Sequence, residues 1–381
     1  MGCCRLRRRL LFFLFIAGYF FCLAAFAEGK LGDGLPEGGR ALYRMSCAAC
    51  HGADGRGASA GIVGFDTPLP DFTDCNFSTR EAQADWVIVV MEGGAIRGFS
   101  EIMPAFGDAL SEEQITKILT YIRSLSDCSE WPRGEFNLPR ALYTTKAFPE
   151  DEIVFHSDIK TDGLDKISNK FVYEHRISAR NQIEVVVPYG WNTIEPSSGG
   201  GKREWVSAVG DVKLGAKRVL FHNLSSGSIF SVGGEVSLPT GDEDEDFGKG
   251  TTVLEPYFAF GQILPEDYFV QLQGGVEWPC DDDPVQEEAF WKMATGRTFA
   301  VGRFESAWSP MVEILGSKHL SDGDDAHWDI VPQIQIALNK RQHVLLAIGM
   351  RIPMNDRTVR EPLFGVYLLW DMFDGGFFEG W

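Results

Sequence analysis

Cys47-Ala-Ala-Cys50-His51 places two thiols three positions apart with an imidazole beside the second, and it is the chain's single C-x-x-C-H. That combination serves one chemistry well: the thiols form thioethers to the vinyl groups of a haem while the adjacent histidine reaches the iron. A redox dithiol or half of a zinc site uses the same residue types. No second cysteine pair follows at metal-site spacing, however, and zinc suits an exported chain poorly. One covalently attached haem c is therefore the expected cofactor, held by Cys47, Cys50 and His51. The opposite face of the iron needs a second ligand or stays open. Met103, followed by Pro104, lies in a loop between two expected helices, and a thioether there is a soft ligand that raises the iron's potential. Met91 falls within an apolar helical stretch and Met45 sits too near the thiols, so Met103 is the candidate sixth ligand.

Three helices have to position these groups. Pro36 to Ser46 reads as a short helix, opened by proline, that delivers its end to the first thiol, and Gly52 allows a turn after the histidine. Ser78-Thr-Arg-Glu81 reads as a capping box opening a second helix that carries Trp86 and Val90 and ends at Gly93-Gly94. Ser111-Glu-Glu-Gln114 caps a third, in which Ile115, Ile118, Leu119, Ile122 and Leu125 recur at helical spacing. Cys75 and Cys128 are free to pair in an oxidising compartment, or to remain thiols. Over Gly29 to Cys128 this arrangement resembles the class I monohaem cytochrome c family, through Cys47, Cys50, His51, the Met103-Pro104 loop and the terminal helix around Tyr121. The resemblance implies single-electron transfer by an encased haem with only an edge exposed. It also implies that an N-terminal helix glycine, here Gly39, packs against the aromatic Tyr121 of the terminal helix.

The compartment follows from the first residues. Met1 to Arg9 is a basic head, Leu10 to Phe26 carries no charge, and Ala25-Phe26-Ala27 offers a small-x-small cleavage site, so 1–27 reads as a secretory signal peptide. An uncleaved anchor is the alternative, and either way the rest is exported. Composition agrees with a folded export product of more than one domain: 381 residues, 44% apolar and 23% charged. The net charge of −19, which loss of the signal's four arginines makes more negative still, excludes nucleic acid as a partner because nothing would offset phosphate repulsion.

The cytochrome c domain is expected over 28–130 and a linker over 131–150. From 151 to 381 helical spacing gives way to a period of two. Phe230, Val232, Val236 and Leu238 alternate with Ser231, Gly233, Glu235 and Ser237; Val270, Leu272, Val276 and Trp278 alternate with Gln271, Gln273, Gly275 and Glu277. Such alternation fits a soluble sandwich or a membrane barrel, and the connections decide between them. About twelve segments of roughly ten residues, the length a tilted strand needs to cross a bilayer, are joined alternately by long polar links and tight turns. The long links include Trp191 to Arg203, Pro239 to Gly250, Pro279 to Glu288 and Ser317 to Ala326; the tight ones include Leu264 to Asp267 and Asn339 to Gln342. Sorting loops in this way is a habit of outer-membrane barrels. The fold class expected is thus multidomain: a small all-α domain followed by an all-β antiparallel transmembrane barrel of about twelve strands.

Val209 to Lys217, Leu238-Pro-Thr-Gly241 and Glu255-Pro-Tyr-Phe258 resemble pieces of the phenol-degradation-pathway outer-membrane transporter family. A haem domain joined to such a barrel resembles the porin-cytochrome fusions of bacteria that exchange electrons with extracellular donors such as ferrous iron. What the resemblance implies is a route from an extracellular electron donor to a periplasmic carrier, a soluble cytochrome or copper protein. The haem domain would then dock at the periplasmic rim, with outer-membrane lipid around the barrel. A diffusion channel for small organic solutes with an accessory haem domain is the second expectation. Acidic loop runs, Gly241 to Asp246, Cys280 to Asp283 and Asp322 to Asp325, would gather cations at the outer rim or simply repel one another in water.

Overall fold

The computed structural model describes residues 37–64, 69–160, 166–194, 204–243, 245, 247–281, 285–302, 306–321, 323–356 and 360–372. The leader, the final Phe377 to Trp381 and parts of all three acidic runs lie outside the described residues.

The helical part is built on α1 (Glu37–Ser46), α2 (Gln83–Glu92) and α3 (Glu112–Arg123), with single turns at Ala48–His51, Ala60–Val63 and Cys75–Ser78 between the first two. Helix α3 begins as its sequence requires: Ser111 accepts from the Gln114 backbone N–H and the Gln114 side chain returns the bond to Ser111. Its apolar stripe, Ile115, Ile118, Leu119 and Ile122, is buried together with Tyr43, Phe72 and Val90. Gly39 is where α1 meets α3, since a Cβ there would run into the Lys117 carbonyl and lie 3.3 Å from Tyr121 Cβ. Tyr43 and Tyr121 close the same contact with ring centroids 5.3 Å apart. Gly39→Val is therefore expected to force the helices apart and destabilise this domain by about 1–3 kcal/mol, seen as an earlier thermal melt of the haem absorption bands in the full-length protein; an unshifted melt would show the crossing to be loose.

Ser78 does not open α2. It closes the Cys75–Ser78 turn, whose cap is Asp74, and α2, capped at Ala82, starts four residues later than the capping-box reading gives. Arg80 and Glu81 in the intervening stretch point instead to the second domain, as described below. Cys75 and Cys128 form a disulfide, Cα to Cα 5.4 Å, which ties the end of the helical domain to its middle loop.

From Glu152 onward the chain is one closed antiparallel sheet of twelve strands. In chain order they are β1 (Glu152–Lys160), β2 (Lys166–Ser178), β3 (Asn181–Ile194) and β4 (Glu204–Val209 resuming as Lys213–Asn223). There follow β5 (Ser228–Ser237), β6 (Val253–Ile263), β7 (Tyr268–Pro279) and β8 (Glu288–Arg297, continued by Phe299–Val301). The last four are β9 (Ser306–His319), β10 (His327–Ala337), β11 (Val344–Pro353) and β12 (Leu363–Asp371). Every strand pairs with its sequence neighbours, and β1 pairs with β12 from Glu152 opposite Asp371 to Lys160 opposite Leu363, which removes both edges.

The burial pattern is inside out for a water-soluble barrel. Ser231, Gln271 and Glu313, on the polar phase of their strands, are at most 1% exposed, whereas Val232, Phe258, Leu254 and Ile348 on the apolar phase rank among the exposed large hydrophobics. A sheet whose greasy residues face outward and whose polar residues face an enclosed interior is satisfied in lipid and not in water. No helix among the described residues is long and apolar enough to cross a membrane; the crossing belongs to the strands. Tight turns join β2–β3, β4–β5, β6–β7 and β10–β11 at one rim, where the chain also enters β1 and leaves β12, and the long links lie at the other.

The 131–150 segment departs from the sequence reading. It connects the domains, but Gly134 to Asp151 is not an exposed linker: most of it is buried, with Phe136, Ala141, Ala147 and Phe148 at 3% exposure or less. It runs inside the barrel and is bonded to strands around the whole circumference. The Leu142 N–H donates to Gln333 on β10, the Tyr143 N–H and Thr144 hydroxyl to Glu313 on β9, and the Thr145 N–H to Gln273 on β7. Lys217 on β4 donates to the carbonyls of Lys146 and Phe148, and Ser231 on β5 to that of Ala147. Arg140 meets Glu152 on β1 and Glu174 on β2, while Lys146 pairs with Glu150 at 2.7 Å and Glu152 at 3.4 Å. An inward-facing polar wall needs partners, and this segment supplies them.

Candidate haem site and its seat on the barrel

Helix α1 runs almost directly into the cysteines. The Cys47 N–H donates to the Tyr43 carbonyl, the His51 N–H to that of Cys47 and the Gly52 N–H to that of Ala48, so Cys47, Cys50 and His51 share one helical turn. Gly52 then takes φ 76°, a left-handed conformation that turns the chain away. Tyr43, fully buried, donates from its hydroxyl to the Gly52 carbonyl at 2.8 Å and pins that turn to α1.

Cys47 and Cys50 are both free thiols, not bonded to each other. Burial, with Cys50 beside it, pushes the Cys47 thiol up to about 11. The His51 ring stacks on Phe72 with centroids 4.9 Å apart, and burial lowers its pKa, favouring the neutral imidazole that a metal requires. Its Nδ1 is buried without a hydrogen-bond partner. Among the described residues no group of three or more His, Cys, Asp or Glu is arranged to hold a bare metal ion. The donor set therefore fits a porphyrin-bound iron, which needs axial ligands only, better than a naked cation.

Met103 sits on a folded loop. Helix α2 ends at Gly93, φ 83°, and after the Gly94–Arg97 turn the chain doubles back, so that the Gly94 N–H donates to the Met103 carbonyl at 3.1 Å. The Phe106 and Gly107 N–H groups then donate to Val90 and Met91 on α2, laying the Met103-Pro104 stretch along that helix. Cys47, Ala48 and Met103 all pack against the same buried cluster, so both halves of the expected ligand set border one apolar core. Met45, by contrast, is 77% exposed, and Met91 packs among the core side chains.

Sequence reasoning missed how the helical domain meets the barrel. Arg80 pairs at 2.5 Å with Asp151, which also meets His175 on β2 at 2.6 Å. Glu81 meets His343 in the β10–β11 turn at 3.1 Å, and Arg180 in the β2–β3 turn pairs with Glu130 at 3.0 Å. Arg341, in the same turn as His343, lies over the Phe99 ring at 5.0 Å. All of these contacts fall on the tight-turn rim. Single charges with partners from 50 to 262 residues away leave no periodic signal, so only the shared location of the turns could have hinted at this seat.

Comparison with known families agrees with both halves. Residues 34–122 match the family model described as "Cytochrome C oxidase, cbb3-type, subunit III", and residues 164–350 match the one described as "Putative MetA-pathway of phenol degradation". No curated protein sequence matches the chain. Among solved structures, an outer membrane channel from Pseudomonas putida F1 is similar at 13% identity and a TM-score of 0.42, over 61% of this chain and 99% of that one. The KdgM porin is similar at 12% identity and a TM-score of 0.38, over 58% of this chain and 98% of its own.

Proposed function

We propose that this cytochrome c domain joined to an outer-membrane barrel passes single electrons between an extracellular donor and a periplasmic carrier, a soluble cytochrome or copper protein. Cys47 and Cys50 would hold one haem c covalently, and His51 and Met103 would supply the ligands to its iron. When bound, the haem supplies a one-electron couple whose potential a thioether ligand raises. The chain's residues fix its plane through the helical turn at Cys47 to His51, exclude water with the Phe72 and Tyr43 cluster, and hold the domain against the barrel through Arg80, Glu81 and Phe99.

The observation that carries this reading is the Gly134 to Asp151 segment inside the lumen. It leads from the haem domain to Tyr143, whose hydroxyl donates to Asp158 at 2.5 Å and whose ring lies under Arg351 at 5.5 Å, both in the loop-side half of their strands. This protein filling replaces an aqueous bore with packed side chains. It weighs against the diffusion-channel reading for the same reason. An even number of strands and short turns on the periplasmic side of such barrels support a periplasmic position for the haem domain.

Two measurements on the full-length protein in liposomes separate the readings. Ferrous iron added on the loop side is expected to reduce the haem, followed at its absorption bands, with no swelling of the vesicles in small organic solutes. Solute-driven swelling without reduction would replace the electron route by the channel.

A further inference from the structure

The contact between barrel and haem domain is not spread evenly: one turn, Asn339 to His343, touches both the entrance to α2 and the loop that carries Met103. We infer that this barrel turn is a positioning element for Met103, with Arg341 as the residue that acts through Phe99, so that axial ligation depends on the seat on the barrel. The inference rests on the proposed assignment of Met103 as the iron's sixth ligand.

The turn is built to be stiff. The Asn339 side chain accepts from the N–H groups of His343 and Val344, the Leu338 N–H donates to the Val344 carbonyl, and the Gln342 N–H donates back to Asn339. Gln342 adopts φ 62°, and its side-chain carbonyl accepts from the Ala307 N–H at the start of β9. A turn tied to the neighbouring strand cannot swing without moving the wall of the barrel.

The loop it touches is equally closed on itself. Gly98, φ 73°, donates from its N–H to Ala95, and Phe99 from its N–H to the Gly94 carbonyl at 2.9 Å; Gly94 in turn donates to the Met103 carbonyl. A Cβ on Gly94 would lie 3.3 Å from Phe99 Cβ and 3.2 Å from Met103 Cβ, so one glycine separates the two side chains. On the far side Arg97 is nearly buried and pairs with Asp85 of α2 at 3.0 Å. The loop is thus gripped by α2 from within and by Arg341 from the barrel, while His343 holds Glu81 just ahead of α2. Displacing Phe99 shifts Gly94, and Gly94 carries the backbone bond to Met103. A half-buried cation over a ring is a modest contact, suited to setting a ligand's position more than to holding domains together, and the ion pairs of Arg80 and Arg180 remain when it is lost.

Arg341→Ala in the full-length protein, in detergent and in vesicles, is the test. The methionine-to-ferric-iron charge-transfer band is expected to weaken, the reduction potential to fall, and added imidazole to displace the sixth ligand at about fivefold lower concentration. Arg341→Lys, which keeps the cation over the ring, is expected to restore most of each. Unchanged band, potential and imidazole affinity in Arg341→Ala overturn the inference. Met103→Ala in the same background keeps the two assignments apart: if the native protein lacks the methionine band, or Met103→Ala leaves it intact, the ligand assignment itself has failed.

Discussion

Arg140→Ala is expected to turn a closed barrel into a conducting one. In planar bilayers the native protein should pass almost no ionic current, because the Gly134 to Asp151 segment fills the lumen and is bonded to strands on every side. Arg140 is the segment's main electrostatic anchor: it meets Glu152, 0% exposed, and Glu174, 1% exposed. Truncation leaves Glu174 enclosed without its cation and Glu152 with Lys146 alone at 3.4 Å, and breaking a buried pair from one side costs about 3–5 kcal/mol. The segment's other hydrogen bonds return about 1 kcal/mol each and still hold it from Leu142 to Glu150, so its Arg140 end is expected to loosen and water to enter there. Current should rise above the native level. Adding Glu174→Gln to the variant should close it again in part, since the stranded charge is removed. A native protein that already conducts like an open pore would refute the plug.

The second large effect concerns the haem segment. Exchanging both Cys47 and Cys50 for serine is expected to abolish covalent haem completely, read as loss of haem staining on a denaturing gel, while the barrel still shows heat-modifiable migration. His51→Ala should keep the stain, because the thiols remain, yet lose the low-spin spectrum and the reduction by ferrous iron. The separation follows from geometry: the thiols and the ring share one helical turn, but only the ring, stacked on Phe72, is placed to serve as an axial ligand. Haem stain surviving in the double serine variant would place the attachment elsewhere.

Much of this architecture was legible in the sequence. The capping box at Ser111 and the period of two in the strands are local signals, and each appears in the fold as read; the C-x-x-C-H run is equally local, and its three residues share one helical turn. The barrel's inversion was legible too, because Val232 and Ser231 cannot exchange faces without turning every strand residue to the wrong side. The plug was not. Gly134 to Asp151 has no helical or strand period and is bracketed by Pro132 and Pro149, which reads as a connection. Its one signature is indirect: inward positions carry Glu152, Glu174, Glu184, Glu235, Glu255 and Glu313, more carboxylates than the inward lysines balance, so cations had to come from outside the sheet. Ser78 misled for a related reason. Its capping pattern is real, but Arg80 and Glu81 are held by Asp151 and His343, and a distant ion pair outweighs a local cap of about 1 kcal/mol.

The pairing of β1 with β12 constrains how such a molecule can be made. A closed cylinder offers no entrance for a folded, disulfide-bonded domain, and the plug has that domain on one side and β1 on the other. Both ends of the segment lie at the tight-turn rim, so it enters that mouth as a doubled-back loop while the domain stays outside. The seam joins opposite ends of the sheet, the slowest kind of contact to form, and its sealing therefore does not have to wait for the filling.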